Sequence, residues 1–312
     1  MKVNNVCIIG GSGFVGRHIA HLLAAQGINL RIPTRRRERV KELLVLPTAE
    51  VVQADVHDDA ELDRLLAGMD AVINLAGILH GDFSATHVEL PRKIVAACKR
   101  NGATRLVHMS ALNAGPDAPS DYLRTKGAGE KIVMESGLIT TIFRPSVIFG
   151  PGDSFLNLFA GLARLPVLPL ASPNAKFQPV FVEDVAHAFA LSLTQPVTFG
   201  QRYDLCGPKI YALRQLVEYA AKIAGHNPAI IGLNDGLSYL QALTMELLPG
   251  KLMTPDNYYS MKVDSVCGCD GGNNLAAVFG IRPAALEEVA PLYLAHHLPR
   301  ERYNRFRHRA GR

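Results

Sequence analysis

Tyr122 and Lys126 stand four residues apart in the segment YLRTK. On a helix, that spacing puts both side chains on one face. An ammonium beside a phenol stabilises the phenolate and draws the tyrosine pKa from about 10 toward neutrality. A phenol tuned in this way can exchange a proton with a carbonyl or an alcohol. Ser110, upstream in the run LVHMSAL, adds a hydroxyl to the candidates. Alone, Tyr-x-x-x-Lys is a weak signal, and its weight depends on the elements that carry it.

Those elements begin with residues 6–16, VCIIGGSGFVG. The apolar run Val6 to Ile9 meets Gly10, Gly13 and Gly16, and an amphipathic stretch from Arg17 to Gln26 follows. This reads as strand, tight turn and helix, the arrangement that holds a dinucleotide pyrophosphate. Unpaired N–H groups at the helix start, at the positive end of its dipole, suit the phosphates. The glycines let backbone approach closely, and Ser12, Phe14 and Val15 complete the expected binding turn.

The second strand, Asn29 to Pro33, runs into Thr34-Arg35-Arg36-Arg37. Chains that bind NAD carry a carboxylate here for the ribose hydroxyls, and this segment has none. A guanidinium pairs bidentately with a 2′-phosphate. The sequence therefore predicts NADP(H) in preference to NAD(H), with Arg35 or Arg36 as the contact. The competing reading of these arginines is a solvated basic turn. Asp55, at the end of the third strand, is expected at the adenine amino group, and Val56 is expected in the same cofactor site. Leu75, Ala76 and Gly77 end the fourth strand, where small residues leave room for adenine and ribose.

Strand and helix patterns alternate through the first half. Expected strands are Val51 to Gln53, Ala71 to Leu75, Leu106 to Met109 and Ile139 to Phe143. Expected helices are Asp59 to Ala67, Thr86 to Arg100 and Tyr122 to Ser136. Short links between them imply a parallel sheet with helices on both faces. Beyond Gly150 the rhythm breaks, and shorter elements follow. The fold class is α/β: a Rossmann-type doubly wound parallel sheet with a small mixed C-terminal lobe. The nucleotide-binding domain is expected over residues 1–150, completed by segments of 151–225. The smaller lobe is expected over 151–312, interwoven with it.

The chain has 312 residues, 48% of them hydrophobic, and a net charge of +5, which is enough apolar content for a large core. The basic excess is local, in Arg35, Arg36, Arg37 and Arg39 and in a tail from Arg300 to Arg312. Neither cluster lies in a nucleic-acid reader motif, so nucleic acid is not an expected partner. Cys7, Cys98, Cys206, Cys267 and Cys269 are scattered and odd in number, which points to free thiols in a reducing compartment. Cys267-Gly-Cys269 is too closely spaced for the usual zinc pairing, and the histidines show no ligand spacing, so no metal is expected. With the first strand starting almost at Met1, no leader is expected, and no apolar stretch of ~20 residues would span a membrane. The expected location is cytoplasmic, with a peripheral place on the inner face of the membrane as a variant. P-loop and G-x-S-x-G motifs are absent, which removes kinase and hydrolase readings.

Taken together, GGSGFVG, Asp55, the LAG at 75–77, Ser110, YxxxK and RPSVIFGPGD at 144–153 resemble the extended short-chain dehydrogenase/reductases, with their epimerase/dehydratase-like members. FQPVFVEDVA at 177–186, YDLCGP at 203–208, LLPGKLMTPDN at 247–257 and the tail YNRFRHR are similar to an atypical subgroup. That subgroup contains the NADPH-carrying accessory subunit of mitochondrial complex I and its bacterial relatives. The resemblance implies that Tyr122 is the acid/base and that Lys126 binds the nicotinamide ribose and tunes Tyr122. It also implies that Pro145, Ser146 and Val147 line the nicotinamide end, with Arg144 positioning that loop.

One departure matters. Extended enzymes carry a second hydroxyl residue after the first serine at the end of the fifth strand, and here Ala111 holds that place. Two functions stay open. In the first, the chain is an NADP-dependent oxidoreductase or epimerase/dehydratase acting on a carbonyl or alcohol, its substrate apolar and, by resemblance, quinone-related. In the second, it is a non-catalytic NADPH-binding module of a membrane-associated respiratory or quinone-biosynthetic assembly. Tyr122 and Lys126 would then only hold the ribose of a structural cofactor. Leu237 to Leu248, with Glu246 its only charge, reads as a core helix of the small lobe. The alternative is an exposed face for a partner, a lipidic substrate or the membrane surface.

Overall fold

Apolar runs bounded by turns become strands of one sheet: β1 (Asn5–Ile9), β2 (Asn29–Thr34), β3 (Ala49–Gln53), β4 (Ala71–Asn74), β5 (Arg105–Met109) and β6 (Ile139–Pro145). Between them lie α1 (Phe14–Ala25), α2 (Lys41–Leu44), α3 (Asp59–Leu66), α4 (Leu90–Asn101) and α5 (Asp121–Met134). Shorter elements follow: β7 (Ile148–Phe149), α6 (Phe155–Leu162), β8 (Val167–Leu170), β9 (Lys176–Phe177), β10 (Val180–Phe181), α7 (Val182–Ser192) and β11 (Gln201–Leu205). The last are β12 (Tyr211–Ala212), α8 (Leu213–Ile223), β13 (Ala229–Gly232), α9 (Asp235–Glu246), α10 (Pro255–Ser260), α11 (Asn274–Phe279) and α12 (Leu286–Leu294). The computed structural model describes residues 2–248, 252–268 and 274–295.

Seven parallel strands form the main sheet in the order β11-β6-β5-β4-β1-β2-β3, a Rossmann-type doubly wound arrangement. The order reverses between β1 and β4, whose register pairs Val6 with Ala71 and Ile9 with Asn74. Such a reversal opens a crevice at the carboxyl ends of the strands, where ligands bind in sheets of this kind. On one face Leu62, Leu65, Ile94, Cys98, Leu106 and Val133 pack into a buried cluster. Asp58 and Ser120 start α3 and α5 by accepting from the Glu61 and Leu123 amides, which satisfies donors that a helix start leaves open.

The expected helix Thr86 to Arg100 begins differently. Residues Ala85–Glu89 form a π-helical turn that leads into α4. Pro91 has no N–H to offer the carbonyl four residues back, that of His87, and the regular ladder is interrupted there.

The described chain divides into two compact units. The first comprises the residues up to Pro145, Val182–Leu205 and Cys267–Arg282; the second comprises Ser146–Phe181, Cys206–Val266 and the described residues from Pro283 on. In the first, β11 completes the sheet, and Phe279 of α11 meets Phe143 and Tyr203 at ring distances of 5.6 and 5.3 Å. In the second, α6, α8 and α12 bury Leu156, Leu216, Ala220, Leu286 and Leu294.

Two expectations are corrected. Helix α9 buries Ser238 and Ala242 and turns Leu237, Leu240 and Leu243 outward, so it is not a core helix. Composition marked it as apolar, but the inward positions are its small residues. Cys7 and Cys98 are free and buried, and desolvation pushes both thiols up to about 12. Cys206 and Cys267, however, are each disulfide-bonded. Spacing along the chain does not say which cysteines the fold brings together. Cys269 and the basic tail lie outside the described residues. Among the described residues no helix is long and apolar enough to cross a membrane.

Candidate functional site

The glycine turn rests directly on the end of β4. Gly10 takes φ +80, and a Cβ there would lie 3.0 Å from the Leu75 carbonyl carbon. A Cβ on Gly16 would lie 2.5 Å from the Gly10 carbonyl oxygen, so only glycine lets α1 sit this close to its own turn. Gly13 precedes α1, and no side chain caps this helix start. Those open amides and the helix dipole suit a phosphate. The Ser12 carbonyl accepts from Arg17 Nε at 3.0 Å, the Phe14 ring lies 5.6 Å from that of His18, and Val15 is buried in the fold.

At the end of β2, Arg35 and Arg36 are exposed. No ion pair among the described residues uses either one. Arg17 and Arg31, by contrast, are paired with Glu42 and Glu50, each at 3.0 Å. Asp55 is exposed after β3, its carboxylate accepting from the His57 amide at 3.0 Å, while Val56 packs on the buried cluster. Leu75 is buried with its amide on the Ile9 carbonyl at 2.9 Å; Ala76 is half-buried and Gly77 exposed.

Helix α5 carries the candidate pair. Lys126 is 3% exposed, and its Nζ donates to the carbonyls of Met109 at 3.0 Å and Ala76 at 3.3 Å. Burial pushes its pKa down to about 8. A Cβ on Gly77 would lie 3.1 Å from this Nζ, so glycine leaves the ammonium its place. Tyr122 is half-buried, its ring edge-on to those of Phe83 at 6.1 Å and His87 at 5.5 Å. Ser110 is 3% exposed, and its hydroxyl has no hydrogen-bond partner among the described residues. Ala111 beside it is also buried.

Pro145 ends β6, its carbonyl accepting from the Leu112 amide at 3.2 Å. Ser146 and Val147 belong to the second unit, where the Ser146 hydroxyl donates to the Ser265 carbonyl at 2.7 Å. The Arg144 guanidinium is committed to Glu130 of α5, with Nε 2.8 Å from the carboxylate, and Arg202 of β11 reaches the same carboxylate at 3.2 Å. These bonds clamp α5 to the sheet.

The structure thus brings the glycine turn, the end of β4, Lys126 and the end of β5 together. The cradle that glycine leaves, the uncapped start of α1 and the orphaned Ser110 hydroxyl fit a dinucleotide. Sequence reasoning missed three buried polar neighbours. His87 is buried beside Tyr122, and His108 of β5 accepts from the side-chain amide of Asn74 in β4 at 3.0 Å. Burial pushes both histidines down to about 3, and the Lys126 charge adds to it. The one trace in the sequence is the aromatic spacing of Phe83 and His87.

A family model described as NAD(P)H-binding matches residues 10–153. The chain is 33% identical over 222 residues to NADH dehydrogenase (ubiquinone) 1 alpha subcomplex subunit 9, mitochondrial, of Mus musculus, covering 68% of this chain and 59% of that relative. It therefore spans less than two thirds of that protein's length. It is 32% identical over 235 residues to the ceramide reductase of Caulobacter vibrioides, covering 74% of each. In fold it is similar to an NADPH-dependent quinone oxidoreductase of Escherichia coli in complex with NADPH, with TM-score 0.74 and 20% identity over 92% of this chain and 99% of that one.

Proposed function

Since the chain belongs to the NAD(P)H-binding family of atypical short-chain dehydrogenase/reductases, we propose that it is an NADP(H)-dependent oxidoreductase, or an epimerase/dehydratase of that type, acting on a carbonyl or alcohol. One observation carries this: a buried ammonium, Lys126, held by two backbone carbonyls one helical turn from Tyr122. A bound nicotinamide would supply or accept the hydride. Gly10, Gly13 and Gly16 take the pyrophosphate at the start of α1, with the backbone of Ser12, Phe14 and Val15 around it. Arg35 or Arg36 pairs with the 2′-phosphate. Asp55 and Val56 meet the adenine, Leu75, Ala76 and Gly77 leave it room, and Pro145 lies toward the nicotinamide.

Lys126, with a pKa near 8, is charged at neutral pH. It holds the nicotinamide ribose and favours the phenolate of Tyr122. Tyr122 gives its proton to a carbonyl oxygen in reduction and takes one from a hydroxyl in oxidation. Ser110 is the one hydroxyl of its segment left to orient the reacting oxygen. An apolar, quinone-related substrate is supported by the reductase relative and by the quinone oxidoreductase fold.

Ala111 favours a second function. Losing one polarising donor costs about 3 kcal/mol of transition-state stabilisation, which suits a chain that keeps its cofactor without turning it over. Relatives named as NADH dehydrogenase subunits fit such an accessory module. The outward apolar residues of α9 would be its docking surface in a membrane-associated assembly. A screen of carbonyl and quinone acceptors with NADPH separates the two. Turnover that falls at least about 100-fold in Tyr122→Phe supports the enzyme; no turnover with any acceptor supports the module.

A further inference from the structure

We infer that His87 is a positioning residue for the Tyr122–Lys126 pair, a role that rests on the function proposed for that pair. The backbone sets its place first. Pro91 removes the donor for the His87 carbonyl, and a Cβ on Gly129 of α5 would overlap that carbonyl oxygen. The π-helical turn and α5 therefore meet backbone to backbone at His87.

The imidazole then joins two segments of the site. Its Nε2 accepts from the Ile78 amide at 3.1 Å, in the loop that follows Gly77. A neutral ring that accepts at Nε2 carries its proton on Nδ1, so Nδ1 donates to Thr125 Oγ1 at 3.0 Å. Thr125 sits between Tyr122 and Lys126 on α5, and its O–H donates a hydrogen bond to the Asp121 carbonyl at 2.7 Å. The ring also stacks on Phe83 at 5.5 Å and 15°, and stands edge-on to Tyr122 at 5.5 Å and 82°. A second proton, on Nε2, would face the Ile78 N–H. Burial and the Lys126 charge hold the ring neutral. His87 acts through Tyr122 and through the loop after β4.

Two substitutions divide these roles. His87→Gln can accept from Ile78 and donate to Thr125 but presents no ring to Tyr122. His87→Phe keeps a ring and loses both hydrogen bonds. Neither readout needs a substrate: the dissociation constant of NADPH from its fluorescence, and the fluorine resonance of Tyr122 in 3-fluorotyrosine protein, assigned by Tyr122→Phe. His87→Gln should shift the Tyr122 resonance and keep NADPH affinity within about threefold of the parent. His87→Phe should weaken NADPH about tenfold and move the resonance less. A Tyr122 resonance unmoved in folded His87→Gln overturns the inference, as does an equal loss of thermal midpoint in both variants with no split between the readouts. Where His87→Gln does not fold, His87→Leu, which also presents no ring to Tyr122, must shift the resonance, and an unmoved signal overturns the inference. If NADPH does not bind the parent chain, the cofactor reading fails, and the resonance alone still decides the positioning role.

Discussion

Lys126 Nζ lies 3.0 Å from the Met109 carbonyl oxygen, the last residue of β5 before Ser110. This bond puts a full charge in the interior, and its cost is readable against pH. Burial lowers the Lys126 pKa from 10.5 to about 8. Between those values the unfolded chain binds more protons than the folded one, so this group makes stability rise with pH across that window. Below about pH 8 the penalty is fully present. Lys126→Met should therefore stabilise the cofactor-free chain at neutral pH by about 1–3 kcal/mol, a gain that fades toward pH 10.5. Urea melts at both pH values check this, and a variant less stable than the parent at neutral pH contradicts it.

The proposed preference for NADP(H) rests on Arg35 and Arg36. The double variant Arg35→Ala, Arg36→Ala should weaken NADPH by about 10–100-fold and leave NADH unchanged. Fluorescence titration of both cofactors measures it. A parent chain that binds NADH as tightly as NADPH rules the assignment out.

His87 and His108 make the fold acid-sensitive. Both are lowered from 6.5 to about 3. Above about pH 6.5 both are neutral in either state and contribute nothing. As pH falls below that value, the unfolded chain gains protons that the folded chain refuses, and stability drops until about pH 3. At about pH 5 each group costs roughly 2 kcal/mol. His108→Gln should recover about half of the loss between pH 7 and pH 5; a variant with the parent's pH profile would refute this source.

Glu130 is 3% exposed and accepts from Arg144 and Arg202. Glu130→Ala leaves the Arg144 guanidinium without its carboxylate and should cost about 2–4 kcal/mol in a denaturant melt. A loss under about 1 kcal/mol would mean that solvent screens the pair.

The glycine turn, the parallel sheet and the Tyr122–Lys126 face were legible because each is a local pattern of spacing or of glycine geometry. The interruption at Ala85–Glu89 was not. It depends on Pro91 and on the close approach of Gly129, which is distant in sequence. The pairing of Asn74 with His108 follows from strand register, which one strand alone does not show. For α9, apolar composition did not say which residues face inward; the fold buries Ser238 and Ala242. The place of α11 beside Phe143 was equally hidden, since a six-residue helix has too few turns to show a period.

The proposed enzyme turns its cofactor over. The direct test is to load the purified chain with NADP(H) and time its exchange against labelled NADPH. Exchange within seconds, at micromolar affinity, is the predicted result. Cofactor that stays bound for hours would contradict it and make the chain a cofactor-stabilised module.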